Sequence, residues 1–204
     1  VKSKCNNLFS NLLKTMISHL NERDRTFIIN KDDIKVYLID LGNSEILGKN
    51  NNDEVMIRSY RPPENIMNSF YNEKADIWSL GCIIYELLTG EYLFDVDREL
   101  DYNNKNCQHL AQMEEIFGKI PKDLALKCDF RERLFDRNGV ILGFSYDNTN
   151  SIGLALKLEN KFDYSKKDSI VLHDFLKLFF EYDTDTRSSA ENILSNEWLQ
   201  NTII

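Results

Sequence analysis

The chain has 204 residues, 25 of them Lys or Arg and 33 Asp or Glu, for a formal net charge of −8. Hydrophobic residues at 42% suffice for a proper core, and only 8 Gly and 3 Pro argue against collagen-like or low-complexity segments. The acidic balance argues against non-specific binding to nucleic acid or anionic membrane and leaves room for a basic partner.

Leu8, Leu12, Leu13, Met16, Ile17 and Leu20 recur near 3.6-residue spacing and predict an amphipathic helix over Leu8 to Leu20. Thr26–Asn30 and Val36–Ile39 are short β-prone runs around the polar Lys31-Asp32-Asp33, and predict a hairpin. A polar loop runs from Gly48 to Glu54. Ala75 to Leu88 is apolar nearly all round and ends at Thr89-Gly90, which predicts a buried helix closed by glycine. Further helices are predicted over Cys107–Phe117, with Gly118 as stop, over Ser169–Phe180, and over Ser188–Leu199 with Ser188 or Ser189 as cap. The stretch from Pro121 to Lys167 is irregular and polar. The expected fold class is mainly α, one helical domain with a small β element near its N-terminal end.

Cys5, Cys82, Cys107 and Cys128 lie far apart with no C-x-x-C pair, so a reducing compartment is expected in place of a zinc or disulfide framework. No apolar run reaches the roughly 18 residues that span a bilayer, and no charged-then-apolar leader is expected at the start. Val1 in place of a methionine suggests a fragment or processed product.

Asp40-Leu41-Gly42-Asn43 sets a carboxylate and a glycine directly after an apolar strand, where the carboxylate can bind a hard cation and the glycine lets the backbone turn. Alone, such a pattern is usually just a turn. Order and spacing add to it: Tyr60-Arg61-Pro62-Pro63-Glu64 follows, then Asp76-Ile77-Trp78-Ser79-Leu80-Gly81, and much later Asp183 to Arg187. The series resembles the C-lobe of protein kinases, with its D-F-G magnesium motif, the A-P-E end of the activation segment, the D-x-W-x-x-G helix and the final arginine. A closer resemblance, to the SR-protein kinase family, is carried by Asp40-Leu-Gly-Asn43, Gly90-Glu-Tyr-Leu-Phe94, Asp101-Tyr102, the run from His109 to Pro121, and Phe135 to Gly139.

The resemblance implies a role for each matching residue. Asp40 would hold the Mg2+ that bridges the phosphates of ATP. Glu64 and Arg187 would form a buried ion pair that anchors the activation segment, 40–64. Asp76 would accept hydrogen bonds from the catalytic loop, with helix capping as its plainer role; Trp78 and Gly81 would serve packing and close helix approach. Arg61 resembles the arginine shared with cyclin-dependent and MAP kinases. In the insert, about 91–168, Glu91, Glu115 and Lys161 fall on docking positions for serine-bearing Arg-Ser repeats, and Gln108 falls where the family has an aspartate. Glu91, Asp95, Asp97, Glu99, Asp101, Glu114 and Glu115 read as one acidic face suited to a basic peptide, or else as a solvated surface.

Three departures oppose full activity. The 39 residues before Asp40 hold no G-x-G-x-x-G and are too few for an N-lobe, so none is expected in this chain. Counting back from the hairpin puts Asn21 in the slot of the catalytic aspartate and Thr26 in that of the metal-binding asparagine, and an amide is no general base. Alternatively, residues 1–34 are the tail of a kinase insert and the true loop lies upstream. Ile57 stands where the family usually has a threonine that bonds the catalytic aspartate and lysine, and it cannot make those bonds. The reading is therefore a C-lobe region, 35–204, of a serine/threonine kinase acting on basic Arg-Ser-rich proteins, or a pseudokinase lobe that docks basic peptides. The activation segment carries Ser44, Ser59 and Tyr60 with little room for a regulatory phosphosite. A monomer of cytoplasm or nucleus, without direct nucleic-acid contact, is expected.

Overall fold

A computed structural model describes residues 56–144 and 153–201, together with the isolated positions 37, 39, 42 and 44. The predicted helix over Leu8 to Leu20, the predicted hairpin apart from Tyr37 and Ile39, Asn21, Thr26 and Asp40 lie outside the described residues.

After a 3-10 turn at Arg58–Tyr60, the described helices are α1 (Pro63–Ile66), α2 (Ala75–Thr89), α3 (Tyr102–Phe117), α4 (Lys122–Lys127), α5 (Arg131–Leu134), α6 (Gly153–Phe162), α7 (Lys166–Leu176), α8 (Ala190–Leu194) and α9 (Glu197–Asn201). A 3-10 turn, Lys177–Phe179, extends α7. No strand occurs among the described residues; one antiparallel bridge joins Phe135 to Ile141 across the Asp136–Gly139 turn.

Helix α2 is the axis of the bundle. Ala75, Ile77, Trp78, Cys82, Ile84, Tyr85 and Leu88 are all buried, as its near-continuous apolar sequence requires. It ends where Gly90 takes the left-handed conformation (φ 77°), and the Gly90 N–H donates to Glu86 O at 2.7 Å. Its neighbours include the 58–60 turn and the 177–179 turn, while α6 packs on α7 and α3. Trp78 sits at the centre of an aromatic cluster, stacked on Phe94 at 6.1 Å and edge-on to Phe180 at 5.1 Å and Phe117 at 5.9 Å.

The structure corrects several predicted boundaries. Helix α3 starts five residues earlier than Cys107, because Asp101 caps it by accepting from Asn104 N at 2.9 Å. Helix α7 starts at Lys166 because Ser165 accepts from Asp168 N at 3.1 Å. The single helix predicted over Ser188–Leu199 is two: Ser189 caps α8, and the Asn196 side chain accepts from Trp198 N to start α9. The stretch read as irregular contains α4, α5 and α6. Helix α6 escaped the periodicity test because its buried face is only Leu154 and Leu158, while Leu156 points outward, 51% exposed.

Candidate functional site

The described residues form two charged assemblies. The first is a buried knot. Arg187 donates from Nη1 to Glu64 Oε1 at 2.7 Å and from Nη2 to Glu64 Oε2 at 2.8 Å, across 123 positions of sequence. Its remaining donors reach Glu181 O from Nε at 2.9 Å and Lys74 O, also from Nη1, at 2.9 Å. The guanidinium lies over the Trp78 ring at 5.1 Å. Both charged side chains are almost completely buried, so the planar, bidentate fork of Arg is what makes this burial tolerable. The knot ties α1 to the start of α2 and to the chain leading into α8.

The other kinase-motif residues surround it. Gly81 is where α2 meets the 177–179 turn: a Cβ there would lie 2.6 Å from Phe179 Cβ and 2.8 Å from Phe180 Cζ, so only glycine allows this approach. Arg61 is buried and donates from Nη2 and Nε to Met56 O at 2.8 and 3.2 Å, holding the turn before α1. Asp76 lies exposed in the first turn of α2, and the protein packed around it raises its carboxyl pKa. It is not the cap of that helix: Lys74 occupies the N-cap and makes no side-chain capping bond. Ile57 is 73% exposed.

The second assembly is an open groove of about 720 Å³. Its carboxylates are Glu86 from α2, Glu91 and Asp95 from the segment after it, and Glu115 from α3; Lys157 and Lys161 come from α6. It brings together Glu91, Glu115 and Lys161, and the Lys161 ammonium pairs with Glu91 at the surface. Glu86 accepts from Tyr60 Oη at 2.7 Å, and Tyr60 meets Tyr92 edge-on, so one end of the groove is braced against the turn before α1. Burial, and then the Glu86 carboxylate, raise the Tyr60 pKa above its ordinary value, which keeps the phenol a donor.

Other members of the predicted acidic face sit elsewhere. Glu114 points inward: it is buried, pairs with Lys119 at 2.7 Å and accepts from Ile120 N at 3.1 Å, which ties the chain after α3 back to the helix. Gln108 does not line the groove, because its Oε1 accepts from Asp97 N at 2.8 Å and pins the preceding loop. Asp101 is spent on capping α3, and Asn104 N–H holds its carboxyl below the usual range. Sequence reading missed Gln112 and Lys157. Gln112 donates to Asp95 O at 2.6 Å, and Lys157, half-buried, lies over the Tyr85 ring at 5.8 Å. The available signal was spacing: Gln112 and Glu115 are three apart on α3, Lys157 and Lys161 four apart on α6, so each pair shares a face.

The position expected to hold Mg2+, Asp40, lies outside the described residues, and among those described no group of three or more His, Cys, Asp or Glu could hold a metal. No described helix is long and apolar enough to cross a membrane.

The sequence matches the protein kinase domain over residues 11–199. The chain therefore belongs to the protein kinase family. Within that family it is like the SR-protein kinases: human SRSF protein kinase 3 is 32% identical over 170 residues, and serine/threonine-protein kinase SKY1 of Saccharomyces cerevisiae 29% identical over 170. Each alignment covers 83% of this chain and, respectively, 30% and 22% of the relative. A protein of Acanthamoeba polyphaga mimivirus, placed by its name among the serine/threonine kinases, is 34% identical over 194 residues, 94% of this chain and 35% of that protein. The chain thus spans about a third or less of the length of these relatives.

Proposed function

We propose that this chain belongs to a serine/threonine protein kinase that transfers the γ-phosphoryl of ATP to serines of Arg-Ser-rich proteins, and that its own part is to dock the substrate. The observation that carries this reading is the groove. Glu91, Asp95 and Glu115 line one concave surface, where an arginine can make charge-assisted bidentate bonds that a flat acidic face would not organise. The name of the human relative, SRSF protein kinase 3, supports the class of substrate, and that of the yeast relative the serine/threonine kinase class.

MgATP, bound in the parent, supplies the group transferred, and Asp40 is the residue here that would hold the metal. This chain alone binds ATP weakly and shows no turnover, since its 39 residues before Asp40 hold no glycine-rich loop and neither Asn21 in the catalytic slot nor the tail of an insert there offers a base. The test uses the purified 204-residue chain with an Arg-Ser octapeptide. Calorimetry is expected to give binding that weakens steeply between low and high salt, and labelled ATP to give no phosphopeptide. Salt-insensitive binding, or none, defeats the docking reading; turnover with contaminating kinase excluded defeats the inactivity.

Ile57 favours a second reading, a pseudokinase lobe that only docks. Its exposed aliphatic side chain supplies no hydroxyl where kinases use one. An intact parent that binds the peptide without phosphorylating it would establish this reading, and phosphorylation by that parent would dismiss it.

A further inference from the structure

Resting on the docking reading, the groove can be taken one step further, because it is not simply acidic. Two of its lining side chains are lysines one helical turn apart on α6, and they differ. Lys161 is exposed and already paired with Glu91. Lys157 is half-buried, and its only hydrogen bond among the described residues is at the limit of reach, to Leu93 O at 3.5 Å. It makes no ion pair among the described residues, although Glu91 and Glu115 are near enough to act on it electrostatically. Burial, and then Lys161, lower its pKa, so its positive charge is poorly compensated where it stands. On α3, Gln112 offers a second unmet group: its Nε2 is held by Asp95 O, and its Oε1 is buried without a partner among the described residues.

The two kinds of charge come from different elements. Carboxylates are presented by α2, the segment after it and α3, ammonium groups by α6. An extended peptide sends successive side chains to opposite sides. A peptide of arginine alone would place every second guanidinium toward Lys157 and Lys161. We infer that the groove accepts an extended peptide in which arginines alternate with anionic residues, arginines facing Asp95 and Glu115 and anions facing Lys157, with Lys157 as the residue that sets this preference. The anion's chemistry is negative charge with oxygen acceptors, which aspartate or phosphoserine could supply.

The experiment measures affinities of the full chain, by fluorescence anisotropy, for length-matched Arg-Asp, Arg-phosphoserine and Arg-Ser peptides. Lys157→Met keeps the apolar stem and removes the charge; Lys157→Gln, with a thermal melt, guards against a folding defect. The expected result is a loss of about fivefold for one or both anion-bearing peptides, with Arg-Ser unchanged or tighter. A loss for both assigns the preference to negative charge, and a loss for Arg-phosphoserine alone assigns it to phosphate. If neither anion-bearing peptide weakens, or Arg-Ser weakens equally, the inference fails while docking stands. If no peptide binds the unaltered chain, the docking reading fails and takes this inference with it.

Discussion

Two cation–carboxylate pairs, one of arginine and one of lysine, sit in opposite surroundings. Glu64 and Arg187 are buried, bidentate and joined to backbone carbonyls and an indole face; Glu91 and Lys161 are about half exposed and joined by one contact at the rim of a groove. The buried pair cannot exchange its partners for water without stranding a charge, so it fixes geometry. The exposed pair opens at little cost, so it can trade its internal partner for a ligand. In this molecule burial, more than charge, separates the pair that shapes the fold from the pair that suits recognition.

The sharpest way to break this contrast is to remove one partner from the knot. Arg187→Ala is expected to destabilise the chain by about 3–5 kcal/mol, because Glu64 is left buried and unpaired. Urea unfolding checks this, and a loss below about 1 kcal/mol would put the knot in the same class as the surface pair. The double variant Glu64→Gln with Arg187→Met should recover part of the loss, since it leaves no buried charge. Next in size is Gly81→Ala beside the knot. A methyl 2.6 Å from Phe179 Cβ cannot be absorbed by rotating a side chain's far end, and about 1–3 kcal/mol of destabilisation is expected from the same measurement.

How far these features could be read in advance follows from how local their causes are. Helix α2 was legible because fifteen residues carry its apolar pattern and Gly90 closes it. Glu64, Trp78, Gly81 and Arg187 were legible as residues of a known motif order, although nothing in their spacing says that Arg187 lies over the Trp78 ring. The capped start of α3 at Asp101 was missed because periodicity begins only with the buried Cys107. The acidic face was read as one charge run, yet Glu114 turns inward since it shares the buried side of α3 with Leu110, Ala111 and Met113. Lys157 was missed entirely, for its meaning depends on α6 meeting the segment after α2.

A smaller effect tests whether burial acts in the same way on a charge without a partner. His109 on α3 is fully buried against Phe94 at 5.0 Å, with neither ring nitrogen hydrogen-bonded among the described residues. Burial first, and then the charges of Arg58 and Arg61, push its pKa down to about 3. The unfolded chain binds this proton near pH 6.5 and the folded chain does not, so the unfolded state holds more protons between the two values. Stability must therefore fall as pH drops below about 6.5, by about 1.4 kcal/mol for each unit well inside that window. Between pH 7 and 5.5 the wild-type chain should lose about 1 kcal/mol more than His109→Leu, with the carboxylate contributions cancelling in the difference. Equal losses would mean that the imidazole reaches water.

The smallest effect on stability belongs to the rim pair, and there the contrast is sharpest. Lys161→Ala and Glu91→Ala should each change unfolding free energy by less than about 1 kcal/mol, and added salt should shrink even that. Peptide binding should not be so tolerant. Glu91→Ala removes a carboxylate from the groove and should weaken an Arg-Ser peptide, whereas Lys161→Ala frees the same carboxylate from its internal partner and should strengthen it. The two variants thus move affinity in opposite directions while leaving stability nearly level, a pattern that a merely structural surface pair cannot give. If both weaken binding, or both leave it unchanged, Glu91 and Lys161 do not compete with the ligand for each other, and recognition rests on Asp95 and Glu115 instead.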